Sequence, residues 1–271
     1  MTDGQLSLAT TAADDERIAA HLAANLYAPL LGPGSSQLAL RLLREGVPDV
    51  LAFWGHLTLA EQASPRRGLE VPLAHARAAA DMARNIWQGQ RNAAHESGAP
   101  APYATRLVQA SCLVADITRR MGNVDQALED LRRLKGGDGI EDTPHLRGWI
   151  LLHQGRADLA TSNARMAASQ FSEAAGLIWG SDAEQTWVAY ALMHQRLGDI
   201  VSGQYSVDEL EVQLRTLKKY MSTYQVDHGT VAYGVQLMEK MLEVARHPQY
   251  GPLADTPMSC FTHLLRAISI M

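Results

Sequence analysis

The sequence has few of the features that mark secreted or membrane-spanning proteins. It contains two cysteines, Cys112 and Cys260, and both lie in apolar helical patterns, where free cysteines behave as small buried residues of a reducing compartment. No positively charged region followed by an apolar one opens the chain, so we expect no secretory signal. No run of about 18 apolar residues occurs, which predicts no membrane span. We therefore expect a cytoplasmic protein, or a nuclear one if the source is eukaryotic.

Positive charge is also scarce. The formal net charge is -5, and the longest basic runs are pairs such as Arg119–Arg120 and Lys218–Lys219. Binding to nucleic acid through a charged face needs many clustered cations that displace counterions. The charge pattern therefore predicts no direct contact with nucleic acid.

Motifs of catalysis and metal binding are missing as well. The sequence has no H-E-x-x-H, C-x-x-C, Walker or G-x-S-x-G pattern. The stretch GPGSS at 32–36 lacks the lysine and the preceding strand of a phosphate-binding loop, so we interpret it as an interhelical loop. His145 and His153 have no cysteine or paired carboxylate at ligand spacing. We expect a protein without enzymatic activity, bound metal or cofactor; an all-α enzyme or a cofactor-binding bundle is the alternative.

Helical periodicity is present almost everywhere. Of the residues, 46% are hydrophobic and 20% charged, which is typical of a globular protein rather than a disordered one. Apolar residues recur at helical spacing, and no convincing alternating strand pattern is found. The sequence predicts an all-α protein of about twelve helices, over residues 14–30, 36–45, 49–63, 72–96, 103–121, 124–135, 144–161, 164–179, 182–197, 207–224, 229–246 and 257–270.

Loop and helix-start signals indicate how these helices are organised. Thr143–Pro144 places a capping hydroxyl just before a proline, which is tolerated at the first helical position. The stretch SGAPAP at 97–102 is the clearest linker. It predicts an N-terminal helical subdomain at 1–97 and a second helical region at 103–271, and whether the two form one continuous domain stays open.

The stretch VADITRRMGNVDQALEDLRRL, at 114–134, has a pattern of its own. Two helices meet at Met-Gly-Asn, where Gly122 opens the turn, as Gly198 would in a later unit. Residues suited to a close helix crossing and the gaps beside it are Ala115, Ala127, Leu131 and Leu134. Part of this spacing returns at Ala167, Phe171 and Ala174. The pair Ala191 and Gly198 repeats Ala115 and Gly122 after 76 residues.

On these residues the chain resembles degenerate tetratricopeptide repeats over about 103–224. The resemblance implies antiparallel helical hairpins stacked as an α-solenoid. The sequence departs from the family at Asp158, where an aromatic residue is preferred, and in the absence of the proline that usually closes a unit. Another α-solenoid or an irregular helical bundle is the alternative fold.

In that family the first helix of each hairpin lines a concave groove that binds peptides. The resemblance therefore implies a protein–protein interaction scaffold or adaptor for complex assembly, with a peptide or helix of a partner held in the groove; a peptide-sensing regulatory domain is the alternative. The groove candidates are Gln109, Asp116, Arg119, Trp149, His153, Arg156, Gln185, Leu192 and Gln195. The same alignment also places Cys112, Leu152, Val188 and Ala189 at groove positions. Trp149 and Leu152 are equally compatible with packing between repeats.

The groove does not match every member of the family. The subclass that captures the carboxylate tails of Hsp70 and Hsp90 uses lysine, asparagine and arginine at positions that correspond here to Cys112, Asp116, His153, Gln185 and Ala189. We therefore expect a different peptide class. The last predicted helix, at 257–270, is apolar to its end. We favour its docking within the chain; homo-oligomerisation through this helix, or docking on further chain, stays open.

Overall fold

A computed structural model describes residues 12–25, 33–63, 68–97, 104–136, 143–161, 163–178, 185–201, 207–226 and 229–246. Within these ranges the regular secondary structure is helical, without strands, which confirms the all-α prediction. No helix in this part of the chain is long and apolar enough to cross a membrane. The described helices are α1 (Ala12–Asn25), α2 (Pro33–Arg41), α3 (Asp49–Glu61), α4 (Glu70–Ser97), α5 (Ala104–Arg120), α6 (Val124–Lys135), α7 (Pro144–Ala160), α8 (Ala164–Ile178), α9 (Gln185–Val201), α10 (Val207–Thr223) and α11 (Gly229–Arg246).

These eleven helices correspond to the first eleven predicted ones, and the predicted helix at 257–270 lies outside the described residues. Two predicted helices have wrong bounds. Helix α2 begins at Pro33, inside the stretch 32–36 that was interpreted as a loop, and it ends at Arg41 rather than at 45. Helix α9 continues to Val201 and includes Gly198, which was expected in a turn. A glycine inside a helix costs only about 1 kcal/mol relative to alanine, so the helix can continue through Gly198. Helix α7 begins at Pro144 as predicted, but the Thr143 side chain makes no capping hydrogen bond.

The chain divides into two compact units, Met1–Tyr103 and Ala104–Met271. In the first unit, α3 packs against α1, α2 and α4. The helices α2 and α3 approach closely, since a Cβ atom at Gly55 would lie 2.7 Å from the Ala39 carbonyl oxygen. The core between α1 and α2 consists of Ile18, Ala19, Leu22, Ala39 and Leu42, and side chains of α3 such as Trp54 pack against it.

In the second unit, neighbouring helices pack in succession. Helix α5 contacts α6 and α7, α7 contacts α8, α8 contacts α9, and α9 contacts α10 and α11. One core cluster joins α5, α6 and α7, and a larger one extends from α7 to α11 around the fully buried Phe171. The helices α5, α7 and α9 thus belong to one packed structure.

Three helix–helix turns in the second unit contain the same hydrogen bond, and the last joins the Val226 N–H to the Met221 carbonyl at 2.8 Å. After α5, Gly122 adopts a φ of +91° and Asn123 donates its backbone N–H to the Thr118 carbonyl at 3.1 Å. Forty residues later, Asn163 donates to the Asp158 carbonyl at 2.9 Å. In all three turns an N–H donates to the carbonyl five residues earlier, and this bond gives a partner to a carbonyl at the end of the helix. A residue with positive φ, usually glycine, normally accompanies it. The sequence Met-Gly-Asn therefore forms a tight turn.

Helices α7 and α8 approach each other closely at two glycines of α7. A Cβ atom at Gly155 would lie 2.7 Å from the Phe171 ring, and one at Gly148 would lie 2.7 Å from Ile178 Cγ1. Both distances are too short for real contacts, so a side chain at either position would force the helices apart. Small residues at a crossing allow this approach.

We expect Gly155→Ala to lower the free energy of unfolding by about 1–3 kcal/mol, as overpacked core substitutions do. Gly176→Ala, on α8, is the matched control: nothing lies within 4 Å of its added Cβ, so we expect an increase of about 0.5–1 kcal/mol. Urea denaturation followed by circular dichroism measures both changes. Equal stabilisation by the two alanines would contradict the close α7–α8 crossing.

Candidate functional site

Three charged side chains are buried together where α5 meets α7. Arg119 donates to Asp116 Oδ1 from Nε at 3.2 Å and from Nη2 at 2.9 Å, and both residues are on α5. Arg156 of α7 places its Nη1 atom 3.0 Å from the same oxygen. The side chains of Arg119, Asp116 and Arg156 are 3%, 8% and 8% exposed. We call these three residues the Asp116 cluster.

Helical geometry explains why two of these three residues lie together, but not the third. Asp116 and Arg119 are three residues apart, which places them on the same face of α5. Arg156 is on another helix, and it reaches Asp116 because α5 and α7 pack together. One carboxylate oxygen therefore contacts two guanidinium groups, one from its own helix and one from α7.

Opposite charge fixes the protonation state of the cluster. Burial on its own would raise the pKa of Asp116, but the positive charges of Arg156 and Arg119 outweigh burial and hold that pKa well below its usual range. Burial raises the pKa of the Cys112 thiol well above its usual range, and the charge of Asp116 adds to this effect. The carboxylate is thus ionised, and the Cys112 thiol stays protonated and chemically inert.

Two histidines with lowered pKa lie beside the cluster. Burial, and then the charge of Arg156, lowers the pKa of both His153 on α7 and His194 on α9 from 6.5 to about 3. Both rings are neutral at physiological pH. His194 donates its Nδ1–H to the Tyr190 carbonyl at 3.0 Å. Its Nε2 atom and His153 Nδ1 are buried and have no hydrogen-bond partner among the described residues.

Aromatic and polar contacts extend the cluster to α9 and α10. The Arg156 guanidinium lies 5.8 Å from the centre of the Tyr190 ring, and Tyr190 stacks with His194 at 4.2 Å between ring centres. On α10, Tyr220 donates its hydroxyl to Gln185 Oε1 of α9. Burial, followed by the neighbouring Tyr224, raises the pKa of Tyr220 to about 12. Polar contacts thus run from α5 through α7 and α9 to α10.

The nine groove candidates fall into two groups in the structure. Four are buried: Asp116, Arg119, Arg156 and Gln185. Five are partly exposed: Gln109, Trp149, His153, Leu192 and Gln195. The first three buried residues come together in the Asp116 cluster, and Trp149 packs against the α5–α7 core.

Four further positions that the resemblance assigns to the groove belong to the core instead. Cys112, Leu152, Val188 and Ala189 are at most 1% exposed. The physical reason is that α5, α7 and α9 are covered on more than one side, so a wider arc of each helix is buried. Tyr190, His194 and Tyr220 were not among the predicted groove residues, because their contacts with Arg156, Phe171 and Gln185 join different helices and no local spacing indicates them.

Among the described residues there is no group of three or more histidine, cysteine, aspartate or glutamate side chains that could hold an ion. The ionised carboxylate of Asp116 forms ion pairs with two arginines. The site thus consists of one buried carboxylate with two buried guanidinium groups, and partly exposed aromatic and amide side chains lie on the same set of helices.

No protein-family model and no curated protein matches this chain. Its function is therefore inferred from its own residues and their geometry.

Proposed function

We propose that this chain is a non-enzymatic interaction scaffold whose stacked, tetratricopeptide-like hairpins bind a peptide or helix of a partner protein. The observation that carries the proposal is the position of Arg156, whose guanidinium contacts Asp116 of α5 and the Tyr190 ring of α9 from its own place on α7. One side chain thereby ties together the three helices that would line a concave face. Such a shared, rigid face is what peptide recognition by helical repeats requires.

The repeated turn supports the stacking. The hairpins α5–α6 and α7–α8 close with the same hydrogen bond, forty residues apart. Small residues occupy corresponding places in both hairpins: Ala115 and Ala127 in the first, Gly155 and Ala167 in the second, and all four are buried. A unit of this length that buries its small residues against a neighbour is typical of helical repeat arrays.

We define the candidate face as the five partly exposed residues Gln109, Trp149, His153, Leu192 and Gln195. Trp149 is the strongest anchor among them, because tryptophan is enriched among the residues that dominate binding energy. Its packing against the core holds the ring in place before binding, which reduces the entropy lost on association. The amide side chains of Gln109 and Gln195 are suited to hydrogen bonds with a peptide backbone.

The test is selection of peptides from a random displayed library on the full chain, followed by fluorescence-polarisation titration of the selected peptides. We expect Trp149→Ala to raise the dissociation constant about 30-fold, which corresponds to about 2 kcal/mol for an interface hot spot. Gln109→Ala and Gln195→Ala should weaken binding to a smaller extent. Val212→Ala, at a 58% exposed position of α10, is the matched control and should bind as the unchanged protein does.

Circular dichroism of each variant separates loss of binding from loss of fold, and the two glutamine variants give an answer even if Trp149→Ala unfolds. The proposal fails if no peptide is enriched. It also fails if the selected peptides bind the Trp149, Gln109 and Gln195 variants with unchanged affinity.

A further inference from the structure

Two histidines of the first unit face each other across a helix pair. His56 of α3 and His75 of α4 have their Nδ1 atoms 2.9 Å apart, with ring centres 5.1 Å apart and ring planes inclined at 47°. Both residues are partly exposed. The space beside their facing nitrogens can thus exchange ions with solvent, unlike the ring of the buried His194 in the second unit.

The protonation state leaves nitrogen lone pairs available. Burial lowers the pKa of both rings below 6.5, and the neighbouring His75 lowers that of His56 further. At neutral pH both rings are uncharged, and at 2.9 Å the Nδ1–H of one ring donates to the Nδ1 lone pair of the other. If the donating ring moves its proton to Nε2, both Nδ1 lone pairs become available, and no net proton is released.

The separation of the two nitrogens is close to what a tetrahedral ion requires. Zinc binds imidazole nitrogen at about 2.0–2.1 Å with tetrahedral geometry, so two such ligands lie about 3.4 Å apart. The observed 2.9 Å would have to widen by roughly 0.5 Å, a change that small rotations of the two side chains can supply. Imidazole also suits zinc, copper and nickel, whereas magnesium and calcium prefer oxygen.

We propose that His56 and His75 form a two-histidine site for a divalent transition-metal ion of the zinc class, which bridges α3 and α4. Among the described residues no third histidine, cysteine or carboxylate completes a group around an ion. Water therefore fills the remaining coordination positions, and the ion exchanges with solvent. Because the site joins two helices that pack along each other, bound metal stabilises the first unit. This inference is independent of the proposed peptide-binding function.

The experiment is a calorimetric titration of the metal-free full chain with zinc chloride at about pH 7.4, paired with thermal unfolding in the same buffer. We expect one site on the unchanged protein that is lost, or weakened at least tenfold, in His56→Ala, His75→Ala and the double variant. Zinc should raise the unfolding temperature of the unchanged protein in proportion to site occupancy. Magnesium at equal concentration should bind none of the proteins.

Two further measurements keep the answer clear. His145→Ala, which removes a partly exposed histidine of α7, should retain the zinc site. Nitrogen NMR of labelled histidines should show zinc-dependent shifts at Nδ1 of His56 and His75 rather than at Nε2. If the alanine variants fail to fold, His75→Gln provides a milder variant. Zinc affinity that is the same in the double variant, or no zinc binding below about millimolar concentration, would overturn the proposal.

Discussion

Replacing Asp116 with asparagine is expected to lower the free energy of unfolding by about 3–5 kcal/mol. The amide keeps nearly the same shape but removes the negative charge that contacts both Arg119 and Arg156. Two guanidinium groups would then be buried without this carboxylate, and removing one member of a buried ion pair is among the most destabilising single changes. Urea denaturation at about pH 7, followed by circular dichroism, measures the loss.

A matched control distinguishes the cost of leaving buried guanidinium groups without a carboxylate from the cost of losing an exposed ion pair. Asp81 pairs with Arg84 on α4 at 2.7 Å, three residues apart, but the two side chains are 68% and 49% exposed. Asp81→Asn should therefore change stability by at most about 1 kcal/mol. Simultaneous replacement of Asp116, Arg119 and Arg156 by leucine, methionine and leucine should recover much of the loss, because hydrophobic residues can substitute for a buried ion cluster. Similar costs for Asp116→Asn and Asp81→Asn would mean that the cluster does not join α5 and α7.

The helices could be predicted from sequence because local rules decide them. Pro144 starts α7, and the Gly122 turn ends α5, where a residue with positive φ is needed. In each case the signal lies within a few residues of the feature it specifies. Gly198 shows the limit of such rules, since α9 stays helical at this residue, where a local pattern predicts a turn.

The candidate site was predictable only where its contacts are local. Asp116 and Arg119 are one helical turn apart, so their pairing is visible in sequence; their burial is not, because charged residues are normally solvated. Arg156 reaches Asp116 only because two hairpins pack together. The same holds for His56 and His75, nineteen residues apart on different helices. Their spacing matches no metal motif, and only the α3–α4 packing brings the nitrogens together.

Stability should also fall with acid. His194 is fully buried, and its pKa drops from 6.5 to about 3 on folding. Between these values the unfolded chain binds a proton that the folded chain does not, so stability is complete above pH 6.5 and decreases as pH falls. From about pH 6.5 to 5 this single histidine costs about 2 kcal/mol. The pKa of His153 is also lowered in the folded chain, as are those of His56 and His75, so each of these histidines also reduces stability as pH falls.

Urea denaturation at about pH 7, 6 and 5 measures this dependence on the unchanged protein and on two variants. His194→Gln removes the titrating ring, so the loss of stability between about pH 7 and 5 should shrink by about 2 kcal/mol, whatever the variant's stability at pH 7. Leu214→Ala shortens a buried side chain of α10 without removing a titrating group, so it should lower stability by a similar amount at each pH. If His194→Gln kept the full pH dependence of the unchanged protein, His194 would bind protons equally in the folded and unfolded chains, and burial would not lower its pKa.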